Sequence, residues 1–102
     1  MSRRDPAGPV PTVAEVFGDT LVVTFDRELR NTSPDPANWF LSLYGQAYYC
    51  DAVEIDRWQV QARMVSLGPD PGPNRCAYAA DPVDILSLDG VPAAAFDDFP
   101  IS

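Results

Sequence analysis

The sequence has no histidine and only two cysteines among its 102 residues. The absence of histidine excludes Ser-His-Asp and Cys-His catalysis, as well as zinc sites that use histidine ligands. Cys50 and Cys76 are too few for a four-cysteine zinc site within one chain. Gly68, Gly72 and Gly90 adjoin proline or aspartate in turn sequences, so no glycine-rich phosphate loop is present. We therefore predict a protein that is not an enzyme and holds no cofactor and no metal.

Long apolar runs and positive charge are also scarce. No run of roughly 18 apolar residues occurs, which predicts that no helix of this chain spans a membrane. Seven basic residues stand against 15 acidic residues, which gives a net charge of −8. An acidic surface keeps a small domain soluble and repels phosphate backbones. We therefore predict no nucleic-acid partner and no membrane partner.

The first nine residues, MSRRDPAGP, are predicted to form a flexible arm, because their prolines and glycine disfavour regular structure. Arg3 and Arg4 are not followed by an apolar segment, so the arm does not have the pattern of a secretory signal. This indicates either a chain used without secretion or a domain cut from a longer chain. The arm is interpreted either as a docking arm, with Arg3 and Arg4 as partner-binding residues, or as a frayed terminus.

Proline is abundant: 11 of the 102 residues, about twice its usual share of roughly 5%. Prolines interrupt helices and occur at strand ends and turns, which favours an all-β chain. Short alternating segments are separated by turn sequences at intervals of roughly 8–12 residues. We predict one domain, residues 10–102, that forms an antiparallel β-sandwich of about seven strands. The predicted strands are residues 10–17, 19–26, 39–44, 47–55, 58–67, 75–79 and 93–101.

Three of these segments alternate clearly, so one face of each is expected to differ from the other. Trp39, Leu41 and Leu43 are predicted to face inward. Leu21, Val23 and Phe25 share one face of their strand, and so do Trp58, Val60, Ala62 and Met64 after a turn at residues 56–57. Residues 47–55 are less regular, because Val53 and Ile55 share one face while Cys50 belongs to the other. A β-bulge near Cys50 and Asp51 would reconcile the two halves of this strand.

Prolines also predict local structure. Pro11 cannot donate a hydrogen bond to a sheet, so the first strand is predicted to lie at a sheet edge. Pro36 suits the first position of a short helical turn, which Asp35 would cap. Residues 68–74 (GPDPGPN) are predicted to form a loop.

The aromatic residues provide candidate contact residues. Tyr48 and Tyr49 are adjacent in a predicted strand, so their side chains point to opposite faces and one must point outward. We treat both as candidate partner-binding residues. Together with Trp39, Trp58 and Tyr44 they would form a surface that stacks on a carbohydrate. The alternative is a set of core aromatics with one aromatic on the surface.

Acidic residues cluster at three places along the chain. The clusters are Asp51, Glu54 and Asp56; Asp81, Asp84 and Asp89; and Asp97 and Asp98. They are interpreted either as calcium ligands or a glycosidase acid/base pair, or as solvated turns. None has the spacing of a calcium loop, which favours solvated turns. Cys50 and Cys76 are predicted to be two buried thiols, with a disulfide as the alternative.

Several segments together resemble the bacterial immunoglobulin-like repeats of the Big and swimming-protein types. The first is residues 21–29 (LVVTFDREL), followed by residues 35–39 (DPANW). The later ones are residues 74–81 (NRCAYAAD) and residues 86–102 (LSLDGVPAAAFDDFPIS), which resemble a tyrosine-bearing strand and a terminal strand after an Asp-Gly turn. The resemblance covers about residues 10–101 and implies a noncatalytic, immunoglobulin-like antiparallel β-sandwich.

Related immunoglobulin-like modules occur in bacterial surface proteins and on phage capsids and tails. The chain shows no tandem repeat and no secretion signal, which favours a virion component made in the host cytoplasm. The resemblance therefore implies a capsid-decoration or tail-surface protein that binds other virion proteins. The alternative is an adhesive module of a bacterial cell-surface protein that binds protein or a surface glycan.

Overall fold

The computed structural model describes residues 8–81 and 83–102, and within these ranges the chain forms seven β-strands and one 3₁₀ turn. All strand pairings are antiparallel. The strands are β1 Pro11–Phe17, β2 Thr20–Phe25, β3 Trp39–Leu43, β4 Gln46–Asp56, β5 Gln59–Pro69, β6 Arg75–Tyr78 and β7 Phe96–Pro100. The 3₁₀ turn, Pro36–Asn38, directly precedes β3.

The strand order across the sheet is β1-β2-β5-β4-β3-β6-β7. This is the strand order of an immunoglobulin-like sandwich, and because β3 also pairs with β4, the seven strands form one continuous sheet. The two ends of the sheet approach each other, because the N–H of Ser102 donates to the carbonyl of Ala14 in β1 over 2.8 Å. The prediction of an all-β antiparallel sandwich is therefore confirmed, and Pro11 lies in an edge strand as expected.

The core lies on the inner side of this sheet and is built from alternate residues of the strands. The predicted inward residues of β3, Trp39, Leu41 and Leu43, are buried, and so are Leu21, Val23 and Phe25 of β2 and Val60 and Ala62 of β5. Trp39 is the largest of these side chains, and its ring packs 4.9 Å from that of Tyr78 and 6.0 Å from that of Phe96. Offset and edge-on contacts of this kind add to the free energy gained from burying aromatic area.

The predicted irregularity of β4 is a β-bulge between Cys50 and Ala52. Before the bulge Tyr48 and Cys50 face the core, and after it Val53 and Ile55 do. The extra residue shifts the alternation by one position, so both halves of this 11-residue strand contribute apolar side chains to one core.

The turn before β3 forms as its sequence predicts. The carboxylate of Asp35 accepts a hydrogen bond from the N–H of Ala37 over 2.9 Å, and Pro36 begins the turn. The cap satisfies one of the backbone donors left free at the start of a helical turn. The cap therefore fixes the geometry of the turn, and β3 begins directly after it with Trp39 in the core.

Trp58 corrects one sequence-based prediction. It does not face the core with Val60: it belongs to the two-residue turn between β4 and β5, and its side chain is 46% exposed. Arg57, the first turn residue, has a φ of 58°, so the chain reverses before the alternation of β5 begins. The predicted loop at residues 68–74 is also shorter, since Gly68 and Pro69 still belong to β5.

Cys50 and Cys76 are free thiols and both are buried. They lie on β4 and β6, which flank β3 in the sheet. Two strand spacings amount to roughly 9–10 Å, more than the roughly 7 Å that a disulfide can bridge. Burial raises the pKa of each thiol to about 12. The favoured sequence-based prediction, two buried thiols, agrees with this arrangement.

The predicted arm, residues 1–9, is described only at its end. Gly8 lies against the Pro92 carbonyl so closely that a Cβ there would clash with it, and Pro9 is buried. These two residues thus pack on the domain just before β1. Residues 1–7, including Arg3 and Arg4, lie outside the described residues.

Candidate partner-binding surface

Four side chains form a row across the outer surface of the sheet, on the face opposite the core. Cross-strand pairing places Val65 of β5 beside Tyr49 of β4, Tyr49 beside Phe40 of β3, and Phe40 beside Ala77 of β6. We call these four residues the apolar row. Phe40 is 39% exposed and Tyr49 is 41% exposed, while Val65 and Ala77 are half-buried. Neighbouring strands therefore present one continuous apolar strip to solvent.

Two ion pairs flank the apolar row. Arg63 donates two hydrogen bonds to Asp51, of 2.9 Å and 2.7 Å, and these bonds hold the pKa of the Asp51 carboxyl below its ordinary value of 3.8. Arg75 pairs with Asp98 over 3.0 Å. The row thus has polar, charge-compensated borders on two sides, which is the arrangement of an apolar interface centre with a polar rim.

A groove of about 410 Å³ continues the row towards β7. Its walls are mainly small or apolar, and one acidic residue stands among them. The lining includes Phe40, Ala77, Ala79, Ala95, Phe96 and Asp97. The alanine side chains are small, which leaves room in the groove. Because Phe40 and Ala77 belong to both features, the groove and the apolar row form a single surface.

The base of the groove is fixed by a hydrogen-bond network around Asp84. Its carboxylate accepts hydrogen bonds from the Tyr78 hydroxyl (2.9 Å), the Asn38 side-chain amide (3.0 Å) and the Asp35 N–H (2.7 Å). The Tyr78 hydroxyl in turn accepts from the N–H groups of Asp84 and Ile85 over 3.0 Å and 3.2 Å. Burial raises the pKa of Tyr78 to about 12. The network ties the chain after β6 to the turn before β3.

The bulge in β7 gives its two aspartates different surroundings. Cys76 pairs with Phe99 and Tyr78 pairs with Phe96, so Asp97 and Asp98 together stand opposite Ala77 alone. Asp98 has a φ of 57° and forms the ion pair with Arg75. Asp97 lines the groove instead, and none of the described residues is bonded to its carboxylate.

The candidate residues from the sequence are distributed as follows. Tyr49 is the outward member of the tyrosine pair and belongs to the apolar row, whereas Tyr48 packs against the core. The aromatic residues do not meet in one stacking platform: Trp39 is buried, Trp58 lies in the β4–β5 turn and Tyr44 lies in the β3–β4 turn. Arg3 and Arg4 lie outside the described residues.

Sequence reasoning missed Phe40 as a surface residue of interest. The signal was present, because strict alternation with Trp39 and Leu41 places Phe40 on the outer face. What the sequence did not reveal was the sheet order, which puts Phe40 next to Tyr49 and Ala77. The groove residues Ala95 and Phe96 come from a segment far along the chain, so only the tertiary fold brings them to the row.

The acidic clusters have structural partners or solvent around them. Asp84 belongs to the network with Tyr78, Asp51 pairs with Arg63, and Asp98 pairs with Arg75. Within residues 8–81 and 83–102 there is no group of three or more histidine, cysteine, aspartate or glutamate side chains placed to hold a metal ion. In the same ranges no helix has the length and apolar character needed to cross a bilayer.

Comparison with known proteins adds no relative: no family model matches the chain, and neither a curated protein nor a solved structure matches it.

Proposed function

We propose that this chain is a noncatalytic structural module that binds another protein through the apolar row and the adjoining groove. The observation that carries the proposal is the continuity of exposed apolar side chains across four strands. Phe40 and Tyr49 lie at the centre of this strip, with about two-fifths of each side chain exposed. A contiguous apolar surface with polar borders is characteristic of an interaction site.

The rigidity of the surface supports this function. The row lies on paired strands, and the base of the groove is held by the network around Asp84. A partner that docks there would meet a preformed shape, so little conformational entropy would be lost on this side of the interface. Aromatic anchors in the centre of an interface commonly supply much of its binding free energy, which assigns Phe40 and Tyr49 the central role.

The proposed setting is a phage virion, where the chain would bind capsid or tail proteins as a decoration or tail-surface module. This part of the proposal rests on the resemblance to bacterial immunoglobulin-like domains, whose related modules occur on phage capsids and tails. The alternative setting is the bacterial cell surface, where the same face would bind a protein or a glycan. In both settings the chain is a noncatalytic sandwich. The two settings differ in where the protein is found, in purified virions or in cell envelopes.

The experiment compares purified virions and cell envelopes from the producing cells by quantitative mass spectrometry. The native chain is expected in virions at a fixed ratio to a capsid or tail protein. The double variant Phe40→Ser/Tyr49→Ser should fall at least tenfold in that fraction. Phe17→Ser and Tyr44→Ser are matched controls, because these aromatics are 60% and 84% exposed but lie outside the row and the groove, and they should leave association unchanged.

Two results would contradict the proposal in different ways. If the chain is absent from virions and enriched in envelopes, the virion setting is wrong and the cell-surface module replaces it. If the double variant associates as well as the native chain in whichever fraction holds it, the apolar row is not the binding surface.

A further inference from the structure

We infer that the groove receives an apolar side chain of an extended partner segment in which that side chain stands beside an arginine or lysine. This inference rests on the proposed function and specifies its partner. Two features of the structure support it: the walls of the groove are apolar, and the charge around the groove is negative.

The walls of the groove select an apolar side chain. Four alanines, at positions 37, 77, 79 and 95, line the groove together with Phe40 and Phe96. The volume of about 410 Å³ falls in the lower part of the roughly 300–1,000 Å³ range of small-ligand sites. A leucine, methionine or phenylalanine side chain would fit within this volume and lose part of its contact with water. An acidic side chain at the same depth would lose hydration and meet the like charge of Asp97.

The charge around the groove selects a basic neighbour. Asp97 lines the groove, Asp35 caps the turn that carries Ala37, and the N–H of Asp81 is bonded to Asn38 in the groove lining. No arginine contributes to the described lining, and the chain has no lysine. The local potential is therefore negative, and it adds to the net charge of −8. Such a potential attracts a cationic segment and repels an acidic one.

Asp97 is the carboxylate that would pair with the cation. The Asp84 carboxylate is occupied by three hydrogen-bond donors from the protein, and that of Asp98 is paired with Arg75. Asp97 stands at the groove wall and has no such bond within the described residues. The β7 bulge separates the roles of the two aspartates, since it turns Asp98 towards Arg75 and leaves Asp97 for a ligand.

The test titrates the isotopically labelled full chain with three synthetic peptides and follows backbone and methyl resonances by nuclear magnetic resonance. The peptides are acetyl-Gly-Arg-Leu-Arg-Gly-amide, its Glu-Leu-Glu counterpart and its Arg-Gly-Arg counterpart. The Arg-Leu-Arg peptide is expected to shift Ala77, Ala95 and Phe96 in a saturable manner. The other two peptides should bind at least tenfold more weakly, because one lacks the favourable charge and the other lacks the apolar side chain.

Variants test the role of Asp97. Asp97→Asn should weaken binding of the Arg-Leu-Arg peptide about fivefold and reduce its dependence on salt. Asp89→Asn is the matched control, because it removes one exposed carboxylate that is not part of the groove lining, and it should change affinity less than twofold. Equal binding of the Glu-Leu-Glu peptide, or unchanged binding by Asp97→Asn, would overturn the inference.

The failure of the inference can be distinguished from the failure of the proposed function. If none of the peptides shifts the groove resonances while Phe40→Ser/Tyr49→Ser still abolishes association with virions or envelopes, the groove chemistry is wrong and the binding surface stands. If a neutral oligosaccharide such as maltotetraose shifts Phe40 and Tyr49 and the Arg-Leu-Arg peptide does not, the ligand is a glycan and the inference is also wrong.

Discussion

The two faces of β3 and β6 differ in composition and surroundings, with five apolar residues on the inner face and two on the outer face. On the inner face Trp39, Leu41, Cys76 and Tyr78 are at most 1% exposed. On the outer face Phe40 is 39% exposed and Ala77 is half-buried, although both lie between those core residues in the chain. The inner residues account for the stability of the sandwich. The outer ones gain little from folding alone, which is why we assign them to binding.

Polar groups differ between the two faces as well. At the core end, the Tyr78 hydroxyl is fully engaged with Asp84 and Ile85. On the outer face Asp97 remains without a bond among the described residues. Buried polar groups need partners because an unpaired one costs free energy, whereas an exposed carboxylate is solvated and stays available. The difference separates groups that maintain the fold from groups that can contact a ligand.

The largest effect is expected from the centre of the inner face. Trp39→Ala should lower the free energy of unfolding by about 3–5 kcal/mol, because it leaves a large cavity beside Tyr78 and Phe96. Chemical denaturation followed by circular dichroism measures the change. Trp58→Ala is the matched control: this tryptophan is 46% exposed and should cost about 1 kcal/mol or less. Equal losses from the two substitutions would contradict the face assignment.

The next effect comes from the Tyr78 hydroxyl. Tyr78→Phe should cost about 1–3 kcal/mol, because it removes the acceptor for two backbone N–H groups and a donor to the Asp84 carboxylate. Tyr44→Phe, at an 84% exposed side chain, should be nearly neutral. Thermal or denaturant unfolding of both variants provides the measurement, and a neutral Tyr78→Phe would show that the network contributes little to stability.

Alkaline pH should lower the free energy of unfolding, because three groups on the inner face titrate there. The pKa of Cys50 and of Cys76 rises from 9.0 to about 12, and that of Tyr78 rises from 10.0 to about 12, in each case mainly through burial. Between these values the unfolded chain releases protons that the folded chain retains. The contribution of these groups to the free energy of unfolding is therefore fully present below about pH 9. It is lost as the pH rises towards 12, by up to about 1.4 kcal/mol per pH unit for each group.

Unfolding measured between pH 8 and pH 11 tests this decline. The double variant Cys50→Ala/Cys76→Ala should show a shallower slope, whatever its absolute stability, because two of the three titrating groups are gone. A slope that is flat in the native chain would mean that these groups do not titrate differently in the folded and unfolded states.

The smallest effect on stability belongs to the outer face. Phe40→Ser and Tyr49→Ser should each cost about 1 kcal/mol, because these side chains are only partly buried and lose mainly cross-strand contacts. Denaturant unfolding measures both, with Phe17→Ser as the reference for an exposed aromatic. A loss above about 3 kcal/mol for either would show that the apolar row is needed for folding rather than kept for a partner.

Much of the fold could be predicted because its local patterns are strong. Alternation in β2 and β3 identified the inward residues, Pro36 and Asp35 identified the turn, and the change of parity around Cys50 identified the bulge. The prediction for Trp58 was wrong because an aromatic residue at the start of an alternating run fits a turn as well as a strand. Local pattern alone cannot separate these two positions.

The candidate surface could be predicted only in part. That one of Tyr48 and Tyr49 faces outward follows from strand geometry, and Tyr49 does. The row and the groove depend on pairing between strands that are distant in sequence, such as Phe40 with Ala77, and on the position of Phe96. The role of Tyr78 as an acceptor for the N–H groups of residues 84 and 85 depends likewise on how the long connection after β6 folds back.

The most direct measurement of the central claim is site-specific photo-crosslinking in the cells that produce the chain. A benzophenone amino acid replaces Tyr49, in the apolar row, or Tyr44, which is more exposed at 84% but lies outside the row. The account predicts one discrete protein adduct from position 49 and none from position 44. Equal adducts from both positions, or adducts from position 44 alone, would contradict the assignment of the outer face as the binding surface.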